Sequence, residues 1–421
     1  MPDRARRPLR LSRRAALELI GVGAAGCALP DVAAAAALSG RTRIARIDVF
    51  PVRYPMQGRF KFFEGPEGSP TGRPAVLVRV TDDGGAVGWG ESVPIPKWSD
   101  ETLETASSTI EKYLAPDLIG RDPADLAGAH EVMHRSIAPA FSTGQPIAKS
   151  GIDMALHDLV ARNLGRSVAS LWDRPAARPL TLSWTVNPRT PDEVEPLIEA
   201  GRQKGYRHFN VKVAPDPTVD LDLCRRVRAA APDGFLWADA NCGYDLETAL
   251  SVAPKLADLG VAVLEAPIRP NRIAGYQALA RQGALPILMD EGVVAPEDLA
   301  EFIRLRMLDG VAMKPARCGG LLPARRQIEM LLDAGLMWLG SGLTDPDVSL
   351  AATLALYGSF GQVRPCALNG PQFLAHSVIT SPLVPRDGTL TPPPGPGLGV
   401  TVDQAKVQAI AEKRWSPGIG A

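Results

Sequence analysis

The chain has 421 residues, 45% hydrophobic and 22% charged, with 46 Lys+Arg set against 46 Asp+Glu. That balance provides no basic field for nucleic acid or an anionic membrane surface, so neither is expected as a partner. The length allows two or three domains, one of them an eight-stranded α/β barrel of roughly 250 residues.

Residues 1–40 read as an export address rather than as fold. Arg4, Arg6, Arg7 and Arg10 lead into Leu11-Ser12-Arg13-Arg14 and then the small apolar stretch LIGVGAAGCALPDVAAAAALSG. A basic start, a short apolar run and small residues mark a secretory signal. Arg13-Arg14 after Ser12 is similar to a twin-arginine signal, with Ala16 where a Phe is common. The expected location is therefore periplasmic or extracellular. The apolar stretch is too short and too Gly/Ala-rich for a stable membrane span, and Ala24-Ala25-Gly26-Cys27 matches a lipid-anchor box only loosely. Cys27, Cys224, Cys242, Cys318 and Cys366 show no C-x-x-C pairing and are read as free thiols.

Residues 41–178 read as an α+β domain. The runs ARIDVFPVRYPM and PAVLVRVTDDGGAVGWGES alternate as strands do, with a turn at Asp82-Asp83-Gly84-Gly85. Between them lies a Gly/Pro-rich loop carrying Phe60, Phe62 and Phe63. Helical patterns follow in TLETASSTIEKYL and in AKSGIDMALHDLVARNLG, the latter closing on Gly165.

From Thr181 the texture changes. Strand-like runs begin near Thr181, His208, Phe235, Ala262, Pro286, Gly310, Met337 and Arg364, with helical sequence such as DLDLCRRVRAAA between them. Strand and helix in alternation imply parallel βαβ crossovers, and eight units over 179–385 fit a closed barrel. An open doubly wound sheet is the runner-up, but no Gly-rich phosphate turn follows the first strand. Residues 386–421 are turn-rich and then β-like, and are expected to pack back on the first domain.

Three acids end successive apolar runs: Asp239 in FLWADANCG, Glu265 in VAVLEAPIRP and Asp290 in LPILMDEGV. Lys212 and Lys314 bracket them. Carboxylates at buried strand ends are costly unless a cation meets them. An all-oxygen set suits a hard divalent ion, Mg²⁺ first and Mn²⁺ as the alternative. The two lysines are the candidate proton carriers.

These residues closely resemble the enolase superfamily, and within it the muconate-lactonizing-enzyme branch, over nearly the whole mature chain. The resemblance rests on AKSGIDMALHDLVARNLGRSVASLW, Asp239-x-Asn241, Glu265-x-Pro267, Asp290-Glu291, Lys314 with Gly319-Gly320, Leu368-Asn369-Gly370-Pro371 and Pro396-Gly397-Leu398-Gly399. It implies an α+β capping domain over a modified (β/α)₇β barrel, Mg²⁺ on Asp239, Glu265 and Asp290, and removal of a proton α to a carboxylate. Lys212 corresponds to the second lysine of a Lys-X-Lys motif and Lys314 to the lysine of the opposite face. The mandelate-racemase branch carries a histidine near the seventh strand. LMWLGSGLTDPDVSLAA has none, and His130, His134, His157, His208 and His376 are read as packing or surface residues.

Two departures stand out. Asn210 replaces the first lysine of Lys-X-Lys, and Thr344 stands where relatives often carry Glu. Asn210, Asn241 and Glu291 are read as supports around the ligands. Phe62, Trp98, Thr185, Thr344 and Asn369 are the candidate substrate contacts. The expected partner is a small carboxylate, and a homo-oligomer is expected. Lysines on both faces point first to racemisation or epimerisation of an amino-acid derivative or related carboxylate. A cycloisomerase or syn-dehydratase is the alternative. The two departures also admit an exported binding protein without turnover. ALNGPQF lacks the Asp-x-Asp of dipeptide epimerases, which counts against that substrate class.

Overall fold

The computed structural model describes residues 42–65 and 67–412, and the backbone of a strand at 416–420. The expected export segment, with Arg13-Arg14 and Cys27, lies outside the described residues. No helix among the described residues is long and apolar enough to cross a membrane.

The N-terminal part is an antiparallel sheet backed by helices. Strands β1 (Ile44–Tyr54), β2 (Arg73–Asp82) and β3 (Val87–Ser92) run in sequence order, and the turn at Asp82–Gly85 joins the last two. Helix Leu103–Thr109 opens on a capping box made by Thr102 and Thr105, and Leu126–Ser136 is capped by Asp125. The long helix Pro146–Asn163 is almost wholly buried, because it lies between this sheet and the barrel. It approaches β3 so closely that a Cβ on Gly88 would stand 2.2 Å from the Ala155 carbonyl, and one on Gly90 1.9 Å from that of Gly151. The glycines of VGWGES exist for that contact.

After the two-residue strand β4 (Leu180–Thr181), seven parallel strands follow in strict order: β5 (Ser183–Val186), β6 (His208–Lys212), β7 (Leu236–Asp239), β8 (Val263–Glu265), β9 (Ile287–Met289), β10 (Gly310–Met313) and β11 (Met337–Gly340). Helices alternate with them, amphipathic except for Asp347–Ser359, which is almost wholly buried. Residues 366–367 close the circle: Cys366 bridges Leu182 and Ala367 bridges Ser341, both in parallel. This closure excludes the open sheet and gives the (β/α)₇β barrel. Strand β12 (Thr389–Leu390) pairs with β4, and β13 (Ser416–Gly420) extends the N-terminal sheet alongside β1.

Side chains alternate along a strand, so residues two apart share a face. Trp237, Val263, Leu288, Ala312, Leu339 and Ala367 form one apolar cluster inside the barrel. Each sits two positions before a polar residue at the strand end: Asp239, Glu265, Asp290, Lys314, Ser341 and Asn369. The barrel is thus plugged below by hydrocarbon and charged above.

Two contacts lock the cap to the barrel. Arg73, fully buried, donates to the carbonyls of Leu343 (2.8 Å), Val93 (2.9 Å) and Pro94 (2.7 Å). Asp153 of the long helix receives the backbone N–H of Leu321, at the start of helix Leu321–Asp333, and His130 Nε2 lies 2.8 Å away. Gly320 has φ 128°, and a Cβ there would stand 2.3 Å from the Asp153 carboxylate carbon. Gly320→Ala therefore meets both backbone strain and a collision, and should cost about 2–4 kcal/mol. Gly335→Ala, with φ 67° and open space around it, should cost only about 1 kcal/mol. Chemical denaturation of both variants checks the ranking.

Candidate active site

The strand ends bring the predicted charges together. Lys212 lies in register with Asp239, and Asp239 with Glu265, across β6, β7 and β8. Lys212 Nζ donates to Asp239 Oδ2. Lys314 Nζ donates to Glu265 Oε1 at 3.2 Å and to Asp290 Oδ2. Arg317, on the single turn Pro315–Cys318, takes the other oxygen of Asp290 and also bonds the Ala312 carbonyl at 2.8 Å. Arg317 escaped sequence reasoning. The signal was its place three residues after Lys314, one turn on.

Above these groups is a cavity enclosing about 390 Å³ with its mouth, at the small end of ligand pockets. Lys212, Asp239, Glu265, Lys314, Asn210 and Asn241 form its charged and amide wall. Phe60, Phe62, Ile95, Trp98 and Leu343 form the apolar one. Phe60 stacks on Phe373 at 4.8 Å, and the Trp98 ring lies 5.3 Å from Lys314 Nζ. Phe62, Trp98, Thr344 and Asn369, candidate substrate contacts, line the cavity.

Two expected residues sit elsewhere. Thr185 is a support rather than a substrate contact. It is fully buried and accepts from Asn369 Nδ2 at 3.2 Å, because it faces inward at the level of the apolar plug. Asp290 lies beneath the cavity wall, 1% exposed, with both oxygens engaged by Lys314 and Arg317. Asn241 donates its backbone N–H to Asp239 Oδ1 at 2.8 Å and its amide to Oδ2 at 3.2 Å, which orients that carboxylate. Asn210 is buried beside Trp237 in register, and its amide nitrogen has no partner among the described residues.

The electrostatics follow from crowding. Burial, and then the charges of Asp239 and Asp290, push the Glu265 carboxyl well above the usual range. Burial would raise Asp239 too, but the ammonium groups of Lys212, Lys314 and Lys61 outweigh it and hold Asp239 low. Burial and the charge of Asp290 bring Glu291 to about 7. For Lys314, burial favours the neutral amine, yet Asp290 and Glu265 prevail and hold it above its ordinary value.

A divalent ion is the group that this donor set would suit. As the side chains stand, no three acidic, histidine or cysteine groups among the described residues could share one. Lys314 fills the space between Glu265 and Asp290. The chemistry nonetheless fits: three carboxylates end neighbouring strands, and one is driven toward protonation by the others. The buried oxygens Asn241 Oδ1 and Glu291 Oε2 have no partner among the described residues. A hard cation answers all of these.

Residues 193–406 match the family described as enolase C-terminal domain-like, and residues 67–172 the mandelate racemase/muconate lactonizing enzyme N-terminal domain. A chloromuconate cycloisomerase of Cupriavidus necator is 33% identical over 339 residues, 79% of this chain and 90% of that protein. Muconate cycloisomerase 1 of Rhodococcus opacus is 30% identical over 350 residues, 81% of this chain and 91% of that one. The muconate lactonizing enzyme of Pseudomonas fluorescens, solved with muconolactone, superposes with a TM-score of 0.81 at 25% identity, covering 88% of this chain and all (100%) of that one. The 2-chloromuconate cycloisomerase of Rhodococcus opacus gives 0.79 at 28%, over 88% and 99% of the two chains.

Removing one partner of a buried ion pair strands the other charge. Arg317→Met should lower unfolding stability by about 3–5 kcal/mol. Adding Asp290→Asn to it should return part of that loss, which a double-mutant cycle in urea measures.

Proposed function

Because the chain belongs to the mandelate racemase/muconate lactonizing enzyme family of the enolase superfamily, we propose that it is a cycloisomerase of small unsaturated dicarboxylates of the muconate type. Isomerase chemistry comes with its cycloisomerase relatives. The observations that carry the reading are the match to cycloisomerases and, for its proton chemistry, the pair of ammonium groups, Lys212 on β6 and Lys314 following β10, set on one carboxylate cluster and opening into one small cavity. Racemisation, the first expectation from that pair, is not supported by the relatives, whose names are those of cycloisomerases. Family membership also displaces the binding protein without turnover.

In the lactonising direction, one carboxylate oxygen of the substrate adds to a ring-forming carbon of the diene. The electron pair moves toward the second carboxylate, and the carbon α to it must then gain a proton. Lys212 is the group we assign to deliver that proton and, in reverse, to remove it. Lys314 faces the same carboxylate region and offsets the negative charge that develops there. Phe60, Phe62, Trp98 and Leu343 keep water from the reacting carbon. Asp239, Glu265 and Asp290 are the residues that would hold Mg²⁺, or Mn²⁺ in its place. The ion would supply Lewis-acid stabilisation of carboxylate charge. With their charge so engaged, the acids would cease to hold Lys314 high.

The test is turnover of muconate and chloromuconates in D₂O with Mg²⁺, followed by loss of diene absorbance and by NMR of the product. The expected product is a lactone with a single deuterium α to the carboxylate. Lys212→Ala should lower kcat by about 10³-fold. An untouched diene, together with α-exchange in N-acylated amino acids, would reject cycloisomerisation in favour of racemisation.

A further inference from the structure

Asn210 brings no charge to the cavity, yet a cation reaches this region from the other domain. Lys61 begins the short turn Lys61–Phe63 in the loop between β1 and β2. Its neighbours Phe60 and Phe62 line the cavity. The turn is fixed to the barrel: Asn187, just beyond β5, accepts the Lys61 backbone N–H through Oδ1 at 3.1 Å, and its carbonyl accepts from Arg59 at 2.8 Å. The Lys61 ammonium stands 5.2 Å from the Phe62 ring centroid. It lies close enough to Lys212, Asp239, Glu265 and Glu291 for their charges to act on it. Burial first, and then the charge of Lys212, bring it down to about 8.

This ammonium makes no hydrogen bond or ion pair with any described residue. Of the acids in its field, Glu291 keeps an oxygen, Oε2, without a partner among the described residues and does not bond it; the others are already served. Asp239 is met by Lys212, Glu265 by Lys314, and Asp290 by Lys314 and Arg317. Asp220, another acid in its field, accepts from Tyr244 Oη at 2.6 Å and from Ala214 N at 2.9 Å. A largely buried cation without a partner is costly, and an incoming anion would relieve the cost.

We propose that Lys61 is a specificity residue that receives the second carboxylate of the substrate, so that the site selects dianions over monoanions of the same length. Carbon chains with a single carboxylate would leave Lys61 desolvated and unpaired, a penalty that discriminates strongly. The inference rests on the cycloisomerase reading only for its choice of a dicarboxylate.

The experiment is calorimetric binding of adipate and of hexanoate, two unreactive six-carbon probes, to the full chain with Mg²⁺ present. Wild-type protein should favour adipate by at least about tenfold. Lys61→Met should bring the two affinities within about twofold, and Lys61→Arg should restore most of the preference. An undiminished preference in Lys61→Met, or no preference in the wild type, overturns the assignment. A Lys61-dependent preference supports the site even where muconate is not turned over, which would reject the reaction alone. Turnover of muconate without such a preference would reject the site alone.

Discussion

The structure depends on how carboxylates are kept apart, or neutralised, at the end of a closed parallel barrel. Asp239, Glu265 and Asp290 end three neighbouring strands, nearly sealed from water. Burial at that depth, and after it the charges of Asp239 and Asp290, push the Glu265 carboxyl well above its usual range. Lys212, Lys314 and Arg317 are the protein's answer. All three come from β6 or from the β10 end, so the two edges of the acid series supply the counter-charges.

That arrangement is neutral but taut. Lys314 bonds two carboxylates at once and is held charged by them. A proton carrier in that condition has little tendency to release its proton. The same contacts make the amine responsive: whatever draws charge from Glu265 and Asp290 also removes the cause of its high proton affinity. The site's acid–base character is therefore set by how the acids are engaged. The cap contributes through Arg73, whose bonds to Leu343 and Thr344 fix the loop after β11 at the cavity rim. Thr344 holds its place there with φ 55°, a conformation that needs such support.

Much of this was legible in the chain. The eight strand starts, the turn at Asp82–Gly85 and the five charges at strand ends all follow from period and position, since a parallel barrel gathers its strand C-termini at one face. Thr185 was misplaced as a substrate contact because position near a strand end does not fix depth. It lies two residues short of Asn187, at the level of the apolar plug. Arg317 and Lys61 were invisible for different reasons. Arg317 reaches Asp290 only because a single helical turn folds it under Lys314. Lys61 belongs to a loop whose course over the barrel is decided by packing between domains, which no local pattern encodes.

The three acids would form the seat of one divalent ion, with the lysines as occupants of the same oxygens in its absence. Titration of Mn²⁺ into metal-free protein, with free ion read by electron paramagnetic resonance, tests it directly. A single tight site per chain is expected, disappearing in Glu265→Gln while circular dichroism stays native. Equal binding by that variant, or no tight site in the wild type, would contradict it.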